Sequence, residues 1–292
     1  MLEAMQLLSR KMNVTGSEEE IIAFLKEELS EVGDVFVDPM GSLVVTVGKD
    51  RPSEKSVMVC TTVDVPGFLC LYSEKGESVL VPTSPLKADA VQNQAIISDK
   101  GTRIRLPETL KDTNEISVKT SNISLGNVFQ FDEGIHREET LFRGFYASKY
   151  ALISILSTLA KETMKDQVSF CFCTQGESRA KSEANLIQRL KPDVVLFLTD
   201  MESTEKSPLL LIKDGAAISD PALRQRILSQ RTKTIPTVTE KAVSKMESCL
   251  LPNRRALALA LPTVKRGTHT QEVSQVACKH LYRLVKDFLR KI

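Results

Sequence analysis

Four stretches of the chain are apolar at almost every position, and each ends abruptly in polar residues. They lie at residues 56–61, 168–173, 194–198 and 256–261. A strand without a solvated face is typical of the centre of a parallel or mixed sheet that is covered by helices on both sides. Because ligands bind beyond the carboxyl ends of such strands, the polar residues that follow them are the first candidates for a functional site.

Amphipathic helices are predicted around these runs, since apolar residues recur there three or four positions apart. One of them follows Ser17 and Glu20, which have the spacing of a capping box. The predicted helices cover residues 1–12, 18–33, 146–162, 183–190, 221–230 and 271–291. A hairpin of two strands at 34–38 and 42–47 precedes the first apolar run. This alternation predicts an α/β fold with a mixed sheet in three α/β/α layers.

Between residues 68 and 137 the pattern changes to short alternating segments that are separated by turns such as EKG and KDTN. No convincing helix interrupts them, and such a series of short strands is typical of a small β-barrel or β-sandwich. We therefore predict an α/β/α domain formed by residues 1–67 and 138–292, with an inserted small β-barrel subdomain at residues 68–137.

The composition is that of an ordinary globular protein, with a formal net charge of +2 over 292 residues and no tryptophan. No basic block is interleaved with aromatic residues, and no apolar run approaches the length of a membrane span. We therefore expect neither nucleic acid nor a membrane as a partner. The first helix is too short and too charged for a secretory signal, which predicts a cytoplasmic protein. The six cysteines are scattered, mostly in apolar runs, and are expected to be reduced core residues.

The ends of the apolar runs supply charged residues to one edge of the predicted sheet. Asp64, Glu177, Asp200 and His269 each follow one of the four runs. Carboxylates and an imidazole in one place can hold a metal ion or move a proton. We therefore expect these four side chains to meet in one region.

Some of the same residues also have simpler interpretations. The segment 175–177 can be a strand-to-helix turn in which Gly176 supplies an unusual backbone angle and Glu177 caps the next helix. His136 lies in a polar turn and is expected on the surface, whereas His280 lies among core positions of the last helix and is expected to be structural.

A series of short motifs resembles, in order, the motifs of one peptidase family over nearly the whole chain. The motifs are SEEEIIAFLKEEL, VDPMGSLVV, VMVCTTVDVPGFL, ISLGNVFQFD, RGFYASKYALISIL, FCFCTQGES, PDVVLFLTD and LPTVKRGTHTQEV. They resemble those of the tetrahedral aminopeptidase, glutamyl aminopeptidase and "cellulase M" family of clan MH dinuclear metallopeptidases. The resemblance implies a zinc-peptidase-like fold and a homo-oligomer, with a dodecamer as the family's self-compartmentalising assembly.

In such an enzyme two divalent cations, usually zinc or cobalt, share a bridging aspartate, and a glutamate that is not a ligand takes the proton from the attacking water. The resemblance places the first histidine ligand at Thr62, the bridging aspartate at Ala147 and the general base at Gly176. The aspartate ligand after PDVVLFL falls on Thr199, or on Asp200 if the strand is one residue longer. The catalytic centre is therefore expected to be degenerate.

Three positions of the family pattern keep a residue that can bind a metal, namely Glu177, Asp200 and His269. One ion would keep at most Asp200 and the other Glu177 and His269, which is fewer than the three protein ligands of ordinary catalytic zinc sites. Asp64 is kept as the supporting aspartate. We therefore assign no catalytic residue and expect no cofactor.

The leading interpretation is an aminopeptidase-family homologue that has lost dinuclear metal catalysis and acts by binding, scaffolding or regulation. The alternative is an active metal-dependent aminopeptidase that holds zinc or cobalt, or a mononuclear hydrolase that uses Asp64, Glu177, Asp200 and His269.

Lys149 stands where the resemblance places an arginine, two residues after the position of the lost bridging aspartate. An ammonium group directed into the cleft would suit a carboxylate or a phosphate. We therefore expect a peptide or a small anionic ligand as the partner, besides copies of the same chain.

Overall fold

The computed structural model describes residues 1–48, 55–110, 113–120, 123–163, 167–177, 182–249 and 255–292. The helices of these residues are α1 (Leu2–Ser9), α2 (Glu19–Leu29), α3 (Ala88–Val91), α4 (Ala147–Glu162), α5 (Ser182–Leu190), α6 (Pro221–Leu228) and α7 (Gln275–Leu289). The strands are β1 (Asp34–Val37), β2 (Leu43–Val47), β3 (Val57–Thr62), β4 (Phe68–Glu74), β5 (Glu77–Pro82), β6 (Ala95–Ser98), β7 (Arg103–Arg105), β8 (Ile116–Lys119), β9 (Val128–Phe131), β10 (His136–Glu138), β11 (Leu141–Arg143), β12 (Val168–Cys173), β13 (Val194–Glu202), β14 (Leu209–Asp214), β15 (Ala217–Ile218), β16 (Ile235–Thr239), β17 (Arg255–Val264) and β18 (Glu272–Ser274).

The larger sheet has the strand order β1-β2-β12-β3-β13-β17-β18-β11-β10, and β14 joins it at β17 and carries β15 and β16. Its centre is parallel, because β12, β3, β13 and β17 follow one another with parallel register. These four strands are the apolar runs of the sequence, so their prediction as buried central strands is confirmed. The flanking strands β2, β14 and β18 pair with this centre in the antiparallel direction.

Alternate side chains of the central strands enter two separate cores. On β3, Val57 and Val59 belong to one apolar cluster, whereas Met58 and Cys60 belong to the other. Residues of α1, α2, α4, α6 and α7 cover the first face, and residues of α5 cover the second. The predicted three-layer α/β/α class is therefore confirmed.

The smaller sheet is antiparallel and has the order β7-β6-β9-β4-β5-β8. Its strands all fall within the segment 68–137 that was assigned to the inserted β subdomain. In the described residues the ladder is open at β7 and at β8 rather than closed. The segment also contains the one-turn helix α3, which the alternating pattern did not predict.

Two helix starts differ from the sequence prediction. The predicted capping box at Ser17 and Glu20 is wrong, since α2 has no side-chain cap and the Glu20 carboxylate instead accepts a hydrogen bond from the backbone N–H of Met12 at 2.9 Å. The last helix was predicted from residue 271, but residues Glu272–Ser274 form β18 and α7 begins only after the cap of Ser274. That change leaves Gln271 at the strand ends of the larger sheet.

Buried cysteines line both cores, as expected. Cys60, Cys171 and Cys173 lie in one core and Cys70 and Cys278 in the other, and these five are thiols rather than disulfides. The side chain of Cys249 lies outside the described residues. In the part of the chain that the structure describes, no helix has both the length and the apolar character needed to cross a membrane.

An aromatic cluster connects the smaller sheet to the start of α4. Phe131 of β9 stacks on Phe145 with ring centroids 3.7 Å apart and meets the edge of Phe68 of β4 at 5.6 Å. Such contacts add stability beyond the burial of apolar area. The cluster therefore helps to fix the beginning of α4, which carries residues of the candidate site.

Replacing Phe131 with alanine is expected to lower the free energy of unfolding by about 3–5 kcal/mol, because it leaves a cavity in this cluster. Urea denaturation measures the change. Leu125→Ala is the control in the same subdomain, since Leu125 is 72% exposed and its truncation should change stability by less than about 0.5 kcal/mol. Equal losses in both variants would contradict the role of the cluster.

Candidate functional site

The candidate site lies at the carboxyl edge of the parallel strands, where the loops after β3, β12 and β17 and the end of β13 meet the first turn of α4. In the register of the sheet, Thr62 at the end of β3 lies beside Cys173 at the end of β12. Strands β3 and β13 are also parallel neighbours. Side chains that end these strands therefore converge, as expected for a sheet of this type.

Asp64 holds the turn that follows β12. The carboxylate is fully buried and accepts hydrogen bonds from the Thr15 hydroxyl at 2.9 Å, from the N–H of Gly176 at 2.7 Å and from the N–H of Glu177 at 2.8 Å. The N–H of Gln175 donates to the Glu18 carboxylate at 2.8 Å. Two carboxylates thus satisfy three successive N–H groups, which fixes the conformation of the turn.

Gly176 is required by close packing rather than by its backbone angle. A Cβ atom at this position would lie 2.1 Å from Cγ2 and 2.5 Å from Cβ of Thr62. The left-handed angle that the sequence assigned to Gly176 belongs instead to Gln175, whose φ is 55°. Residue 176 therefore has no room for the glutamate side chain that the family resemblance places there.

Lys149 fills the centre of the site from the first turn of α4. Its ammonium group donates to the Thr62 hydroxyl and to Glu177 Oε1, the latter at 3.1 Å, and the side chain is only 8% exposed. Glu177 is thereby engaged in an ion pair. Its predicted role as the cap of the next helix stays a prediction, because it depends on the residues that follow it directly. Residues 178–181 lie outside the described part of the chain.

Burial by itself would lower the pKa of Lys149, but the carboxylates of Glu177, Asp64 and Asp200 outweigh it and raise the pKa above its usual value. Lys149 therefore stays protonated at neutral pH. Burial also raises the pKa of Asp64, against the opposing effect of the Lys149 ammonium. The lysine and its carboxylates thus depend on one another for their charge.

Arg266, in the loop after β17, forms the second ion pair of the site. Its Nε donates to Asp200 Oδ2 at 2.7 Å and its Nη2 to Oδ1 at 3.4 Å. The Ser148 hydroxyl also donates to Asp200, at 2.9 Å, and accepts a hydrogen bond from Gln271 Nε2 at 3.1 Å. Burial would raise the pKa of Asp200, but Arg266, Lys149 and Ser148 outweigh it and hold that pKa below its usual value.

The sequence prediction missed Arg266 and Gln271 as site residues. Both lie in the motif LPTVKRGTHTQEV, of which only His269 was assigned to the site. A cation two residues beyond the end of a buried strand was the available signal, because it can reach a carboxylate on the neighbouring strand. The neighbouring Ser148 was missed as well, and it donates its hydroxyl proton to Asp200.

The other predicted site residues have their contacts outside the two ion pairs. His269 packs near Phe145, with ring centroids 6.0 Å apart, and its Nδ1 is buried without a hydrogen-bond partner among the described residues. Thr199 donates to the carbonyl of Val243 at 3.1 Å. Ala147 is fully buried in the first turn of α4. The structure therefore joins Asp64, Glu177 and Asp200 through two cations, without His269.

The two remaining histidines do not border the site. His136 is exposed on the short strand β10, as predicted. His280 is half-buried on α7, and its Nδ1 has no partner in the described residues.

Two cavities adjoin the ion pairs. The larger has a volume of about 1050 Å³ and the smaller about 230 Å³, and both are bordered by Lys149, Glu177, Asp200 and Arg266. The two ion pairs therefore form a charged wall between a wide cleft and a small side cavity.

The family resemblance implies two divalent cations, and the side chains present here do not fit them. Among the described residues, no three His, Cys, Asp or Glu side chains are placed to hold one metal ion. The carboxylates of Glu177 and Asp200 instead contact the Lys149 ammonium and the Arg266 guanidinium. A metal ion at either carboxylate would meet a positive charge at contact distance, which is unfavourable.

Comparisons with known proteins give matches in structure but not in sequence. No family model and no curated protein sequence matches this chain. An aminopeptidase from the archaeon Desulfurococcus kamchatkensis superimposes with a TM-score of 0.89 at 14% identity, over 100% of this chain and 94% of that one. A TET aminopeptidase from a marine sediment archaeon of the Thaumarchaeota gives 0.88 at 14% identity, over 99% and 96%. The TET peptidase of Pyrococcus horikoshii gives 0.82 at 16% identity, over 98% of each chain.

These matches confirm at the level of the fold the resemblance that the motifs predicted. The chain has the fold of the TET aminopeptidases over its whole length. Identities of 14–16% carry no information about the activity, which has to be argued from the side chains of this chain.

The close packing of Gly176 against Thr62 predicts how substitutions at these two positions change the free energy of unfolding. Gly176→Ala should lower the free energy of unfolding by about 1–3 kcal/mol, because the new Cβ overlaps Thr62. The double variant Gly176→Ala/Thr62→Gly should recover part of this loss, with a coupling energy of at least about 1 kcal/mol in a double-mutant cycle.

Gly134→Ala is the matched control, since no atom lies within 4 Å of a Cβ built there and its φ is not positive. It should be close to neutral. Additive effects of the substitutions at 176 and 62 would show that the two positions do not constrain one another.

Proposed function

We propose that this chain is a peptidase-fold protein that has lost dinuclear metal catalysis and acts by binding a peptide or a small anionic ligand in the cleft at its strand ends. The observation that carries the proposal is the position of the Lys149 ammonium and the Arg266 guanidinium on the carboxylates of Glu177 and Asp200. Side-chain cations thus supply the positive charge that metal ions supply in the dinuclear enzymes.

The lack of a suitable general base among the described residues of the site supports the loss of hydrolysis. Residue 176 is a glycine, and Thr62 occupies the space that a longer side chain would need. Asp64 already accepts three hydrogen bonds from the protein, and Glu177 is paired with Lys149. A general base needs a free lone pair directed at the attacking water, and both carboxylates are instead engaged by donors within the protein.

The shape and charge of the cleft support binding. The larger cavity reaches from the floor at Thr62 to the loop that contains Lys241 and Lys245. The buried Asp214 carboxylate holds that loop through the N–H groups of Val243 and Ser244, at 2.6 and 2.9 Å. A rigid concave site with a few fixed polar groups is the usual form of a ligand site.

Metal content and peptide hydrolysis measured on one sample test the loss of catalysis. After dialysis against zinc- or cobalt-buffered solution, elemental analysis should find far less than one ion per chain, and no release of N-terminal residues from peptides should be detected. The reason is that two fixed cations already neutralise the carboxylates.

An active TET aminopeptidase carried through the same dialysis and assay is the positive control. Stoichiometric metal with turnover in this protein would overturn the proposal in favour of a working aminopeptidase.

Lys149→Met should weaken binding of acetate or inorganic phosphate, followed by NMR titration, by about tenfold or more, because the main cation between the two cavities is removed. Lys161→Met is the matched control on the same helix, since Lys161 is 45% exposed and pairs with Glu28 at the surface. It should leave anion affinity unchanged. Equal affinity in wild type and Lys149→Met would count against an anion site at this position.

We also propose that the chain assembles with copies of itself. The support is the fold, since one structural neighbour is described as a dodecamer and another as forming a tetrahedron or an octahedral shell. Light scattering coupled to gel filtration should give a mass that is a multiple of the chain mass, up to a dodecamer. A monomer at micromolar concentration would contradict self-assembly.

A further inference from the structure

The smaller cavity contains polar groups that the protein itself leaves without partners. It has a volume of about 230 Å³ and lies between residues 84–87 of the β subdomain and the first turn of α4. Tyr146 and Gln271 both border it and are at least nine-tenths buried. Among the described residues, neither the Tyr146 hydroxyl nor Gln271 Oε1 has a hydrogen-bond partner. Because buried polar groups are nearly always satisfied, two such groups at one cavity mark a place where a bound molecule, a ligand or an ordered water, completes the network.

The hydrogen-bond network fixes which atom of Gln271 faces the cavity without a partner. Asp200 accepts the proton of the Ser148 hydroxyl, so Ser148 Oγ can only accept from Gln271. The amide nitrogen of Gln271 is therefore directed at Ser148, and its oxygen is left as an unused acceptor. A ligand at this point must offer a hydrogen-bond donor.

Near Tyr146 the chain offers hydrogen-bond donors, so a ligand there must supply an acceptor. The Tyr146 hydroxyl has a free proton, and Lys149 uses two of its three protons on Thr62 and Glu177. Arg266 also borders the cavity. The first turn of α4 contains no acidic residue and adds the positive end of the helix dipole. These groups together favour an anion.

The neighbouring charges limit the anion to a single negative charge. Lys149 and Arg266 are each paired with a carboxylate that borders the same cavity, so these four groups are neutral together, and Lys87, which also borders the cavity, leaves a single positive charge. A phosphate dianion would place its second charge beside Glu177 and Asp200 without compensation. A carboxylate adds one charge and can accept hydrogen bonds from two donors at once.

We propose that this cavity binds a small carboxylate that carries a hydrogen-bond donor, a hydroxyl or an amino group, next to the carboxyl carbon. Its carboxylate contacts the Tyr146 hydroxyl and Lys149, and its donor contacts Gln271 Oε1. This inference rests on the proposed binding function of the cleft and assigns it a ligand class. No bond is made or broken.

Four probes that share one carbon skeleton separate the two requirements in NMR titrations of the full chain. Lactate and alanine have both groups, propionate has only the carboxylate and propylene glycol has only the hydroxyl donor. Lactate, alanine or both should bind about tenfold more tightly than propionate, and propylene glycol should not bind. The comparison of lactate with alanine decides between a hydroxy acid and an amino acid.

Tyr146→Phe tests the site without threatening the fold. Because its hydroxyl has no partner in the protein, this variant should melt no lower than wild type, while its affinity for lactate or alanine should fall about tenfold. Tyr150→Phe is the matched control on the next turn. It should melt lower, since the Tyr150 hydroxyl donates to the buried Asn13 at 3.1 Å, and should bind the probes as wild type does.

Gln271→Leu should remove the preference for lactate or alanine over propionate, because the acceptor for the donor group is lost. Failure of every carboxylate to bind, or unchanged affinity in Tyr146→Phe, would overturn the inference. The inference would also be overturned if propionate bound as tightly as lactate and alanine and its binding depended on Lys149 but not on Tyr146. That outcome would leave the proposed anion-binding function intact.

Discussion

A buried ammonium group surrounded by carboxylates is the interaction on which the rest of this site depends. Transferring an unpaired lysine from water to the interior costs several kcal/mol, and so does transferring an unpaired carboxylate. Lys149, Glu177 and Asp64 avoid both costs by lying together, and Arg266 does the same for Asp200. The carboxyl edge of the sheet can therefore stay closely packed without a metal ion.

The same charges also fix the backbone around them. The Asp64 carboxylate that lies near Lys149 is the acceptor for two N–H groups of the turn after β12. Residues with left-handed backbone angles directly precede three segments of the site, at Tyr146, Gln175 and Lys265, with φ of 53°, 55° and 54°. Such conformations are unfavourable for residues with side chains and persist where the surroundings hold them. The site is therefore held by its ion pairs and hydrogen bonds rather than by the preferences of the local sequence.

The sequence predicted the layers of the fold well, because a strand buried on both faces leaves a continuous apolar run that few other structures produce. It also placed Asp64, Glu177 and Asp200 at one edge, since the ends of parallel strands must lie together. The position of Arg266 two residues beyond a buried strand was a signal for the site, but its partner Asp200 could not be predicted, because the conformation of a loop depends on tertiary contacts. The start of α7 was missed for a related reason, since the three residues of β18 pair with β17 and β11 and so leave no local signal.

The packing of Gly176 against Thr62 restricts the substitutions that this chain can accept at the site. A glutamate at position 176 overlaps Thr62, and a histidine at position 62 displaces the hydroxyl that Lys149 contacts. Losing Lys149 alone leaves Glu177 and Asp64 without their cation. The residues at positions 62, 149 and 176 therefore depend on one another, and a substitution at one of them changes what the other two positions can accept.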